Sequence, residues 1–158
     1  MLRTLLNVAL LPIALAATSC QTAPRHVAGL ESVECIWREA PHNAFTDLLV
    51  VNDRLLCTFR EGDDHVHGRD GTIQVIEHTH DGTWNSVAQL QEDGVDLRDP
   101  KLSLTPDGRV MLTCGGSVYV DRQLQSMATR VAFADPDTMD FSHPAPIVVD
   151  EAIASDRD

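Results

Sequence analysis

The strongest constraint on the fold of this chain is an internal repeat. From Pro41 onward, short β-branched or apolar runs alternate with turn residues: "FTDLLVV", "RLLCTF", "GTIQVIEHT" and "TWNSVAQL", separated by "ND", a charged loop and "HDG". Runs of this length bounded by turn residues read as antiparallel strands, and four in succession read as a meander. The pattern then recurs as "DPKLSL", "RVMLTCGG", "SMATRVAFA" and "FSHPAPIVV", with a loop expected between the second and third runs. "NDR" at 52–54 is answered 55 residues later by "DGR" at 107–109, and "DGTWNS" from Asp81 is answered 54 residues later by "DPDTMDFS" from Asp135. A four-strand unit recurring near the ~40–50-residue spacing of propeller blades predicts an all-β fold of the β-propeller type. Blade one would occupy 41–95 and blade two 96–150; the alternative is two unrelated meanders packed as a sandwich. Closing a propeller ring takes about 4 to 8 blades, so residues 151–158 read as the start of a further blade in a longer protein. The remaining blades would be the chain's first partners, because its outer strand edges are unpaired without them.

Residues 1–19, "MLRTLLNVALLPIALAATS", combine a basic start at Arg3, an apolar stretch and small residues before Cys20. That is the layout of a secretory signal peptide, and the apolar run, broken by Asn7 and Pro12, is too short to span a bilayer. "ATSC" resembles the lipobox of bacterial lipoproteins, which makes Cys20 the expected lipidation site; ordinary cleavage near Ala16 or Ala17 is the alternative. Either route places the protein in the secreted or cell-envelope compartment, at the periplasm or outer membrane. Residues 20–40 form a polar lead-in of which only "VECIW" is apolar enough to pack.

The formal net charge is −12, and loss of Arg3 with the signal peptide makes it −13. This excludes nucleic acid as a natural partner. Without a basic cluster, membrane association is expected only through the lipid anchor. Beyond Cys20 there remain Cys35, Cys57 and Cys114, an odd number, with no CxxC or HExxH spacing, so neither a metal site nor a cofactor is expected. Cys57 and Cys114, in the second strands of the two repeats, are expected to be buried packing residues at facing positions, unlinked to one another.

"FREGDDHVHGRD" at 59–70 is the densest cluster of chemically active side chains. In a meander the connections alternate between two ends, so the loop after strand two shares a face with the start of strand one. That sets the charged loop beside "HNAFTD" and "DGVDLRDP". Arg60, Glu61, His65, Arg69, Asp70, Arg98 and Asp99 should therefore converge on one face as contacts for a carbohydrate ligand. Arg60 and Arg98 have an alternative use, pairing with a neighbouring strand's carboxylate as struts between blades. Asp63, Asp64 and His67 read as solvated loop residues, and their spacing does not match a calcium-binding EF-hand loop.

"AFTDLLVVNDRLLCTFREG" followed by "GTIQVIEHTHDGTW" resembles the opening blade of the sialidase-like six-bladed propellers, the exo-α-sialidase or BNR-repeat family. "THDGTW" keeps Asp81, Gly82, Thr83 and Trp84 of the family's aspartate-box turn in compressed form. The resemblance spans residues 41–149. It implies a secreted glycoside hydrolase, exo-acting on a polar or acidic sugar, with Asp70 in the position of the catalytic acid and Asp63 and Asp64 as alternatives. The place of the family's first carboxylate-binding arginine reads Phe45-Thr46-Asp47, and its tyrosine nucleophile belongs to later blades; Tyr119 lies where no nucleophile is expected. The chain alone is therefore expected to be inert. The rival reading is a non-catalytic carbohydrate-binding or structural propeller lipoprotein.

Overall fold

The computed structural model describes residues 29, 31–66 and 68–149. The expected signal peptide at 1–19, the lipidation site Cys20, His67 and the segment 151–158 lie outside the described residues. The organised unit begins at Cys35. Its architecture is all-β, built from two four-stranded antiparallel sheets. The first contains β1 (His42–Val51), β2 (Arg54–Gly62), β3 (Thr72–His78) and β4 (Trp84–Leu90) in the order β1-β2-β3-β4. The second contains β5 (Asp96–Leu104), β6 (Val110–Val120), β7 (Gln123–Ala134) and β8 (Ala145–Pro146) in the order β5-β6-β7-β8.

Two departures from the sequence expectation have local causes. The loop expected between the second and third runs of the second copy is instead ladder, with one register shift between Val118 and Tyr119, turning at Asp121 and Arg122, whose φ angles are 49° and 65°. Left-handed backbone at both central residues is the two-residue hairpin turn whose twist matches that of the strands; Asn52 and Asp53 form the same turn at 48° and 60°. The fourth run of the second copy is reduced to Ala145–Pro146, because Pro144 and Pro146 have no N–H to donate to a ladder. The turns do not correspond copy by copy either. "TPDGR" at 105–109 is the counterpart in conformation of "THDGT" at 79–83: the closing bonds Thr105 N→Arg109 O and Thr79 N→Thr83 O measure 2.9 and 2.8 Å. In each, the aspartate accepts the threonine hydroxyl. At Asp81 these hydroxyl bonds pull the carboxyl down to about 2.

Strand periodicity sorts the side chains into layers. Leu56, Ile73 and Val75 of the first sheet meet Leu102, Leu112 and Cys114 of the second in one buried layer. Cys57, Phe59 and Ile76 point the other way, under Trp37 and Trp84. Trp37 belongs to the "VECIW" piece of the lead-in, and its ring centroid lies 6.0 Å from that of Phe59. Both strand cysteines are buried free thiols, as is the exposed Cys35 a free thiol. They are not at facing positions, however. Register pairs Leu48 with Cys57 and Leu102 with Leu112, so the counterpart of Cys57 is Leu112. Cys57 therefore lies behind the first sheet, and Cys114 between the sheets, where burial pushes its thiol up to about 11. On the far rim, Arg54 pairs with Glu77 at 2.7 Å and reaches the carbonyls of Pro136 and Asp137, tying the first sheet to the 135–139 turn of the second.

Leu112→Ala should destabilise the chain by about 2–5 kcal/mol, the range for emptying a core leucine site. Leu48→Ala, at a side chain 61 % exposed, should change stability by no more than about 0.5 kcal/mol. Urea unfolding of both variants checks the assignment of layers; equal losses would contradict it.

Candidate functional site

The site is organised by two matching bulges. The β1–β2 register shifts between Ala44 and Asp47, and the β5–β6 register shifts between Arg98 and Lys101. Each bulge holds one residue with left-handed backbone, Phe45 at φ 64° and Asp99 at φ 51°. Bulges bend a strand and re-aim side chains. Just beyond them, Asp47 Oδ2 accepts the backbone N–H of Leu102 at 2.9 Å, and Lys101 Nζ stands 3.8 Å from Asp47 Oδ1. β1 and β5, the inner strands at which the two sheets meet, thus run side by side with their irregular ends together.

Between β2 and β5 lies a buried ion cluster. Arg60, 2 % exposed, donates from Nε and Nη2 to Asp96 Oδ1 at 3.1 and 2.8 Å, and from Nη1 to the carbonyl of Asp64 at 3.0 Å. Asp96 Oδ1 also accepts Gly71 N–H at 2.7 Å, and its Oδ2 accepts Arg98 Nη2 at 2.6 Å. Burial pushes the Asp96 carboxyl upward, but the bonds from Arg60, Gly71 and Arg98 outweigh it and hold the group below the usual carboxylate range. A β-carbon on Gly71 would collide with Arg60 Nε, and one on Gly62 would come within 2.6 Å of Arg60 Nη1. Glycine at both ends of the charged loop is what leaves room for the guanidinium. Arg60 is thereby used inside the fold, as the strut that the sequence left open as an alternative.

The other expected site residues separate into three places. Glu61 is nearly buried on the lead-in side, accepting Trp37 Nε1 at 2.6 Å and Gln89 Nε2 at 3.2 Å. His65 is exposed beside the inner strands: its ring lies 5.5 Å from that of His42 and 5.4 Å from that of Phe45, and its carbonyl accepts Arg98 Nη2 at 3.2 Å. Arg69 grips Asp63 through Nε at 3.1 Å and Nη2 at 2.9 Å, and these bonds lower the Asp63 carboxyl. The Asp64 side chain caps the backbone N–H of His65. Asp63 and Asp64 are thus fastening the loop.

Asp70 is exposed and makes no side-chain hydrogen bond among the described residues. It stands on the wall between two clefts. One, of about 550 Å³, is acidic, with Glu61, Asp63, Glu92 and Asp93 among its lining residues. The other, of about 410 Å³, is closed by Tyr119 and Arg122 from the tip of the β6–β7 hairpin. Asp99 is exposed at its bulge.

Sequence reasoning missed Asp96, His42, Phe45 and Arg122. Asp96 carried a signal: it stands two residues before Arg98 on a strand, hence on the same face, and an aspartate on an inward face needs cations. The position of Arg122 followed only from the hairpin. Among the described residues no group of three or more His, Cys, Asp or Glu is arranged to hold a metal ion. No protein-family model matches the chain, and no curated protein matches it.

Arg60→Ala should destabilise the chain by about 3–5 kcal/mol, because it strands a buried carboxylate. Asp96→Asn should do so with a defined pH dependence. The folded carboxyl is depressed, so its stabilising contribution is complete above the unfolded value of about 3.9 and is lost as pH falls through the lower folded value. The gap in unfolding free energy between wild type and Asp96→Asn should be constant from neutral pH to about 5 and close below about 4. Denaturant titrations across that range check it.

Proposed function

We propose that this chain is the sugar-handling part of a sialidase-like β-propeller, a secreted glycoside hydrolase exo-acting on a polar or acidic sugar. The observation carrying the reading is Asp70, a carboxylate with no hydrogen-bond partner among the described residues, at the junction of two clefts and on a loop whose other carboxylates are engaged. Glycoside cleavage needs an acid that can reach the leaving oxygen and a second group to attack or stabilise the oxocarbenium-like centre. Asp70 supplies the first. In this reading further blades of a longer protein supply the second, and the chain alone does not turn over substrate.

Support for the propeller comes from equivalent positions in the two sheets. Leu102 is 7 % exposed because the first sheet covers it, whereas its counterpart Leu48 is 61 % exposed. A preceding blade laid on the first sheet would cover Leu48 as the first sheet covers Leu102. In the same reading Cys20 carries a lipid that holds the protein at the cell envelope.

The internal use of Arg60 and the partial burial of Arg98 favour a second reading, a propeller that binds carbohydrate without cleaving it. A panel of aryl glycosides assayed with the longest product of the gene separates the two. Hydrolysis should be measurable, and Asp70→Asn should lower kcat by roughly a hundredfold or more while sugar affinity is kept. Undiminished turnover in Asp70→Asn would remove Asp70 from the mechanism; sugar binding without turnover in the wild type would establish the binding module.

A further inference from the structure

Three features that folding does not account for meet where the inner strands begin. The first is backbone strain. Left-handed φ at Phe45 is unfavourable for a bulky aromatic residue, whereas aspartate, as at Asp99, is among the side chains that tolerate it best. The second is unmet hydrogen bonding. Among the described residues, the buried side-chain polar atoms without a partner are His42 Nδ1 and Arg98 Nε. Both residues touch His65, His42 through a ring contact at 5.5 Å and Arg98 through a bond to its carbonyl at 3.2 Å. The third is aromatic placement. His65 is exposed, and its ring packs 5.4 Å from the half-buried Phe45 at the open end of the sheets, away from the core.

Strain and orphaned polar atoms each lower stability, and their coincidence around the exposed His65 marks a place arranged for something other than folding. The matching of the bulges across the repeat, Phe45 in one sheet and Asp99 in the other, makes the arrangement systematic.

We propose that the Phe45–His65 aromatic pair, flanked by Arg98 and Asp99, is the seat for a pyranose ring. The proposal rests on the saccharide reading above and assigns a subsite separate from Asp70. A pyranose presents an apolar C–H face bordered by hydroxyls. The aromatic pair takes the face, while Arg98 Nη1, the guanidinium nitrogen that is neither buried nor bonded to a described residue, donates to ring or hydroxyl oxygens and the Asp99 carboxylate accepts from hydroxyls. A seat of this kind, apolar with a few placed polar groups, is the usual composition of a small-ligand site.

The test uses the full chain with methyl β-glucopyranoside, methyl β-galactopyranoside and methyl β-glucuronide, followed by the imidazole NMR signals of His42 and His65 and by thermal melts. A binding pyranoside should shift both imidazole signals. Phe45→Gly removes the ring and accepts the left-handed backbone, so it should weaken binding roughly three- to tenfold, the worth of one aromatic contact, with Tm unchanged or raised. Phe45→Tyr keeps the ring and should bind as the wild type does. Asp99→Gly should raise Tm and weaken binding. If Phe45→Gly melts far below the wild type with unchanged affinity, the pair is scaffolding and the inference fails. A pyranoside that binds without moving the imidazole signals overturns this seat but leaves the saccharide reading standing; binding by none of the three overturns both.

Discussion

The buried contact between Arg60 and Asp96 is the constraint on which the rest of the arrangement depends. Taking both charges out of water is costly, and such a pair is favourable only when the remaining donors and acceptors are satisfied. Here they nearly all are: Asp96 collects bonds from Arg60, Gly71 N–H and Arg98, while Arg60 gives its third bond to the carbonyl of Asp64. The consequence is positional. The charged loop leaves β2 at Gly62 and re-enters the first sheet after Gly71, and both glycines lie against the guanidinium. Gly71 also accepts Leu97 N–H of the second sheet at 3.1 Å. Both ends of the loop are therefore held at the junction of the two sheets, and its exposed residues inherit that placement.

Once the engaged charges are set aside, the functional candidates are what is left. Arg54 is spent on Glu77, Arg130 on Glu92, Arg69 on Asp63, and Glu61 on Trp37 and Gln89. Each pairing explains a charged residue by the fold. Among the described residues, Asp70, Asp99, Arg122 and the ring of His65 have no such polar partner. This reverses the ordering that charge density alone suggests: Arg60, the most prominent cation in the sequence cluster, is the most deeply committed to structure.

How much of this was legible in the sequence follows from the range of the interactions involved. Period-two alternation is local, so the eight strands, the two meanders and the meeting of the charged loop with the starts of β1 and β5 could be read from residues alone. Register is also local but is set by turn geometry. Asp121–Arg122 lacks the glycine that announces a tight hairpin, so the sequence reads as a loop over 117–125, where the ladder in fact runs on to the Val120–Gln123 pair. The Asp96 hub depends on packing between sheets, which no pattern within one strand reveals. The bulge at Phe45 opposes local preference, since an aromatic residue does not favour left-handed backbone. The strand pattern reads both cysteines as buried, but they do not face one another, because the 55-residue spacing of the repeat sets Cys57 opposite Leu112, as the register does.

That last distinction bears on how the sheets stack. Aligning the bulges makes Asp47 equivalent to Lys101 and Leu48 to Leu102. In the first sheet the face bearing Leu48 points away from its neighbour; in the second the equivalent face points toward it. The contact between sheets is therefore head-to-tail, unlike faces meeting rather than like faces across a two-fold axis. A head-to-tail contact is not self-limiting: it extends until a ring closes or an end is capped. Trp37 covers part of the outward face of the first sheet through Phe59 and Glu61, yet Leu48 and Val50 on that face remain exposed. The lead-in tryptophan thus covers part of the face of the first sheet that the second sheet does not reach.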